Sequence, residues 1–130
     1  MKRVGKAATM TVARRVGQIR ELTEKIKRFR DERDWLQFHN HKDMALSLVL
    51  EAAEVLEHFQ WKSAEEVERH AREHREELAD ELADVAAFLF ELADNLGIDL
   101  GVAIENKLQK NEKKYPVERS RGKHTKYTKL

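Results

Sequence analysis

Cysteine is missing from this sequence altogether, which excludes a disulfide framework and any thiolate metal centre, zinc fingers and iron–sulfur clusters included. The same absence points to an intracellular protein. Proline occurs once, at Pro116, and glycine only five times, so no Pro/Gly/Ser linker divides the chain. No apolar run approaches the roughly 20 residues of a membrane span. The basic N-terminus is not followed by the apolar stretch of a secretion signal, and a soluble, cytoplasmic protein with no membrane partner is expected. An alternating strand pattern and an internal repeat are also lacking, which leaves helices as the material of the fold.

What the sequence does have is charge. Charged residues make up 38% of the 130 positions and hydrophobic ones 41%. That balance suits amphipathic helices, each needing one apolar stripe. The length predicts one domain, and a monomer this small buries only about two thirds of its unfolded surface, so assembly into a homodimer or homotetramer is expected. The net charge of +1 hides a segregation. Both ends are rich in Lys and Arg, whereas residues 76–94 carry Glu76, Glu77, Asp80, Glu81, Asp84, Glu91 and Asp94 with no basic residue. The middle therefore reads as acidic and locally unpaired.

Val12, Val16, Ile19, Thr23, Ile26 and Phe29 recur at helical spacing and predict a first helix from about Thr11 to Asp34, after a flexible arm over residues 1–10. Residues 35–42 lack a period and read as a loop, with Asp43 expected to cap a second helix reaching about Gln60. That helix is apolar around most of its circumference, so burial on several sides is expected. Ser63-Ala64-Glu65-Glu66 is a capping box and starts a short helix. Leu78, Leu82, Val85, Leu89, Leu92 and Leu96 then form a seam spaced four and three apart. Gly97 fits a left-handed helix stop, and Asp99 fits a cap for a fourth main helix. Leu100, Ile104, Leu108, Asn111 and Tyr115 are its expected inner face, and Pro116 ends it. The predicted architecture is thus an all-α bundle of four main helices over residues 11–116, with a basic tail over 117–130.

Residues three apart on a helix share a face, so Glu51 and Glu54 point the same way, as do Glu81 and Asp84. If the two helices pack antiparallel, the four carboxylates converge. Clustered carboxylates repel one another, and a hard divalent cation reverses that penalty; magnesium in particular accepts carboxylates while holding substrate phosphates. An ordinary solvated face is the competing reading. Against it, no Lys or Arg occurs between Asp43 and Trp61, and Glu77/Glu81 and Asp80/Asp84 set like charges four apart.

Glu51-Ala-Ala-Glu54, a spacer of 26 residues and Glu81-Leu-Ala-Asp84 together resemble the ExxE…ExxD signature of the all-α, MazG-like nucleoside triphosphate pyrophosphohydrolases. The resemblance extends through residues 29–35, Phe38-His39, Phe59-Gln60-Trp61-Lys62, Asp84-Val85, Lys107, Asn111 and Lys126-Tyr127-Thr128, and is greatest to the dCTP pyrophosphatase-like branch. It implies cleavage of a nucleoside triphosphate to monophosphate and pyrophosphate, with Mg2+ held by Glu51, Glu54, Glu81 and Asp84. Glu54 is then expected to orient or deprotonate the attacking water. The substrate pocket is expected from His39, Trp61 and Asn111, with Lys107 near the phosphates. One position departs from the pattern: Phe88 stands where dCTP-specific relatives have a tyrosine, so a hydroxyl contact is lost and a cytosine preference does not simply carry over.

Other readings compete with this one. The basic ends, with Tyr115 and Tyr127, fit a non-catalytic module that grips nucleic-acid phosphates. A structural helical protein would use the heptad seam but leave the acidic tetrad unexplained. Phosphoribosyl-ATP pyrophosphatase chemistry is compatible with the same fold, and the flanking motifs argue against it.

Overall fold

The computed structural model describes the backbone of residues 4–130 and the side chains of residues 17–130; of the arm expected over residues 1–10, residues 1–3 lie outside the described backbone and residues 4–10 are part of the first helix, which starts earlier than the expected Thr11. Every regular element among the described residues is helical: α1 (Val4–Asp31), α2 (His41–Glu57), α3 (Ala64–Glu73), α4 (Arg75–Asn95), α5 (Leu100–Lys114) and the single turn α6 (Val117–Ser120). Short 3-10 turns at Leu36–Phe38 and Tyr127–Lys129 complete the chain. None of these helices is long and apolar enough to cross a membrane.

Local chemistry explains most boundaries. Ser63 accepts the Glu66 N–H at 3.3 Å and Glu66 accepts the Ser63 N–H at 3.1 Å, so the capping box starts α3 as expected. Gly97, at φ 70°, turns the chain left-handed after α4, and the Ile98 N–H closes back onto the Ala93 carbonyl at 2.8 Å. Asp99 accepts the Val102 N–H at 3.1 Å and caps α5. The cap of α2 differs from expectation. Asn40, not Asp43, holds that position, accepting the Asp43 N–H at 2.9 Å while its amide donates to the Asp43 carboxylate at 2.7 Å. The helix thus starts inside the segment read as a loop. His74 divides α3 from α4 at φ −113° and ψ 33°, so the expected short helix and the third main helix meet at one residue. The tail beyond Pro116 folds back through α6, whose residue Arg119 hydrogen-bonds the Leu130 carbonyl.

α2 and α4 form the central pair. His58, just past the end of α2, meets Glu81 early in α4, whereas His39, just before α2, meets Glu91 late in α4. The two helices are therefore antiparallel. α1 packs across α4, α5 lies against α1 and α4, and α3 rests on α4. The apolar core is thin, with Met44, Leu78 and Ala93 as its buried members.

The seam and the expected inner face of α5 are not covered within one chain. Leu78 is buried, but Leu82, Leu89 and Leu96 are exposed, as are Ile104, Leu108 and Tyr115 of α5. On α2, Leu46, Val49, Leu50 and Leu56 are exposed too. The accessible surface is 10906 Å² for a 15.3 kDa chain, against roughly 7,100 Å² for a compact monomer of that mass. Helical periodicity marked these faces as apolar; the described residues supply no cover for them.

Candidate metal centre

Antiparallel packing of α2 on α4 brings the acidic pairs together. Glu51, Glu81 and Asp84 each place a carboxylate oxygen within 4.8 Å of the others. Glu54 stands beside both Glu51 and Glu81, close enough to share a proton with either. Burial, and then the neighbouring charges of Glu54 and Asp84, push the Glu51 carboxyl above its ordinary value. Glu81 is raised first by its hydrogen bond with Glu54 and then by burial, with His58 opposing. Among the described residues no Lys or Arg pairs with Glu51, Glu54, Glu81 or Asp84; the nearest basic group is the His58 imidazole, whose Nε2 lies 3.8 Å from Glu81. Unneutralised oxygens that disfavour their own ionisation are a donor set that fits a hard divalent cation.

Three other carboxylates of the acidic stretch are matched. Asp94 takes Lys27 at 3.2 Å and Glu77 takes His74 at 3.2 Å. Glu91, only 2% exposed, accepts from His39 Nδ1 at 2.7 Å and Asn95 Nδ2 at 3.3 Å, with Arg30 Nη1 3.8 Å away. Arg30 is itself 5% exposed and donates from Nε to Asp31 at 2.8 Å. The middle of the chain is therefore not uniformly unpaired, as its composition suggests: Glu77, Glu91 and Asp94 have partners, whereas Glu51, Glu81 and Asp84 meet at the α2–α4 contact.

Glu81, Asp84, Phe88, Glu91 and Asn95 follow one another at spacings of three and four, and so occupy one stripe of α4. Seven residues separate Asp84 from Glu91, a rise of roughly 10 Å. His39, fixed by Glu91, thus stands two turns along the same stripe from the acidic centre, with Phe88 between them. Sequence reasoning singled out His39 but missed Arg30, Glu91 and Asn95, because nothing periodic links residues so far apart in the chain.

Trp61 sits in the turn between α2 and α3, 93% exposed and at φ 64°. A bulky side chain in the left-handed region is strained, and this indole stands in solvent instead of in the core. Lys107 and Asn111 lie on α5, exposed and half-buried respectively. Neither forms a side-chain hydrogen bond or ion pair within the described residues, so the single chain does not bring them to the carboxylates.

Comparison with known proteins supplies the family. The profile of the MazG-like family matches residues 46–130, which includes all four carboxylates. This chain belongs to the MazG-like family. The dCTP pyrophosphatase 1 of Mus musculus is 43% identical over 104 residues, covering 78% of this chain and 61% of that protein. Its counterpart from Homo sapiens is 39% identical over the same length. This MazG-like chain accordingly spans about three fifths of the curated relatives it matches. Among solved structures, a pyrophosphatase from Archaeoglobus fulgidus superposes with a TM-score of 0.72 at 39% identity, over 76% of this chain and 93% of that one.

Proposed function

We propose that this MazG-like chain is a magnesium-dependent nucleoside triphosphate pyrophosphohydrolase that removes unwanted nucleotides from the cytoplasmic pool. The observation that carries the reading is the convergence of Glu51, Glu81 and Asp84 on one centre, with Glu54 beside them and no Lys or Arg to neutralise the set. The activities named for the relatives, dCTP pyrophosphatase and pyrophosphatase, agree with it. Glu51, Glu81, Asp84 and Glu54 would hold the metal, and a magnesium ion there would supply charge neutralisation for the phosphates and acidify water.

Glu54 stands beside Glu51 and Glu81 at the edge of this centre, where it can contribute to the metal site and also serve as the base. Its carboxylate accepts a proton from the water that attacks the α phosphorus in line, and pyrophosphate leaves from the opposite side. Glu91 accepts a hydrogen bond from His39 Nδ1–H, fixing the ring and leaving Nε2 free to meet a base edge about two helix turns, roughly 10 Å, along α4 from Asp84. The exposed Trp61 indole offers a stacking face, and Phe88 offers apolar contact without a hydroxyl. Lys107 and Asn111 are assigned to the substrate by resemblance. Since α5 leaves them away from the carboxylates, that role requires a second copy of the chain, whose docking would also cover the apolar faces of α2, α4 and α5.

Incubation with a panel of ribo- and deoxynucleoside triphosphates, with magnesium or with chelator, tests the reading. Monophosphate plus pyrophosphate, formed only with metal, is the expected product pair, with deoxycytidine nucleotides among the substrates. Release of single phosphate, or no turnover of any nucleotide, would overturn it in favour of a binding role for the basic ends.

A further inference from the structure

Three histidines gather next to Glu81. His58 follows α2, His70 lies in the last turn of α3, and His74 is the joint between α3 and α4. His58 Nδ1 faces His70 Nε2 at 2.8 Å. The His70 and His74 rings stack at 4.2 Å between centroids, as two residues four apart on a helix face can. Glu77 lies 3.2 Å from His74 Nδ1, and accepting a proton from it leaves Nε2 free. All three rings open on one cleft of about 340 Å³, lined also by Glu54, Glu57, Lys62, Glu77 and Glu81.

Nothing in the proposed hydrolysis uses this arrangement. The larger cleft of about 370 Å³, between α1, α4 and α5, offers less: its charges are already paired, Arg20 with Asp99 at 3.3 Å and Asp94 with Lys27 at 3.2 Å. We propose that His58, His70 and His74 form a second metal site, for a borderline divalent ion of the zinc class. Imidazole nitrogens suit zinc, nickel and cobalt and bind magnesium poorly, whereas the carboxylate set next door has the opposite preference. Two histidines four apart on a helix are a recurrent zinc motif, and an acidic partner on the second ring nitrogen, here Glu77, is the usual orienting group.

The required movement is small. Tetrahedral zinc with bonds of about 2.05 Å separates two nitrogens by roughly 3.3 Å, half an ångström more than the His58–His70 gap. His74 must rotate out of its stack to present a nitrogen, because the trio does not yet converge as the carboxylates do. Its side chain is 40% exposed and makes no cap bond, so the contacts to give way are its stack on His70 and its bond to Glu77, a flexible side chain on the surface. Burial, then the nearby His74, Lys62 and His58, hold the His70 imidazole below its ordinary value and so in the neutral form a metal needs. The four carboxylates that line the cleft favour a cation over the single Lys62.

Untagged protein titrated calorimetrically with zinc chloride, in magnesium sufficient to saturate the carboxylates, tests the proposal. One zinc per chain is expected. His70→Gln and His74→Gln should each weaken it by about tenfold or more, since losing a ligand costs at least as much as losing an orienting partner. Glu51→Gln should leave it unchanged. The exposed His74 position allows a folded variant, checked by circular dichroism. Absence of zinc binding, undiminished binding in both histidine variants, or loss in Glu51→Gln instead would each overturn the assignment; the last would place the zinc among the carboxylates.

Discussion

Replacing Glu91 by Leu removes one partner of a buried pair while nearly preserving volume. Arg30 would then keep its bond to exposed Asp31 and its weak contact with Asn95, but would lose the only carboxylate buried with it. Breaking a buried ion pair typically costs about 3–5 kcal/mol. The retained Asp31 bond places this case near the low end, at about 3 kcal/mol, and His39 loses its acceptor as well. For a domain of this size that corresponds to a fall in melting temperature of roughly 10 °C. Arg30→Leu should be destabilising too. The double variant Arg30→Leu/Glu91→Leu should instead return to within about 1–2 kcal/mol of the parent, because no charge is left buried. Urea denaturation followed by circular dichroism, at one protein concentration, measures all four proteins. Simple addition of the single losses in the double variant would show that the two charges do not answer each other, and would refute the reasoning.

Trp61→Gly should raise stability by about 0.5–1 kcal/mol, by relieving the left-handed backbone, and at the same time weaken nucleotide binding; thermal melting with a KM measurement separates the two effects. Glu51 and Glu81 are held above their ordinary value of 4.5, so the folded state retains their protons longer than the unfolded state does. Their contribution to stability is full below that value and is lost as pH rises through the raised folded values. Metal-free parent protein should therefore lose stability relative to Glu51→Gln as pH climbs from 4.5, and magnesium should reverse the loss; parallel melting-temperature profiles for the two would contradict this. Val49→Asp, at an exposed apolar position of α2, should lower the assembled mass seen by light scattering without unfolding the chain, and an unchanged mass would count against α2 as an interface.

How much of this was legible in the sequence depended on range. Ser63, Gly97, Asp99 and Pro116 act on backbone groups within a few residues, and each stands where its chemistry placed it. The carboxylate pairs were legible for the same reason: spacings of three fix a shared helix face, and only the antiparallel meeting of α2 and α4 had to be supplied. Asn40 and Asp43 show the limit of local reading, since either can cap and only the geometry shows which does. Longer-range chemistry left no periodic trace. His39 and Glu91 are 52 residues apart, and the pairs Arg30 with Glu91 and His58 with Glu81 are likewise distant in the sequence. Apolar periodicity, finally, marks a face but not its cover, which is why Leu82, Leu89, Ile104 and Leu108 were read as interior and stand exposed.

The central claim is that the carboxylates at the α2–α4 contact do the chemistry, with Glu54 as the base. Turnover of the best nucleotide by Glu54→Gln, set beside its helicity and its magnesium-induced rise in melting temperature, tests that most directly. The account predicts folded protein, a retained though weaker response to magnesium, and turnover reduced by at least about a hundredfold, the usual contribution of a general base. Near-normal turnover in Glu54→Gln would contradict it.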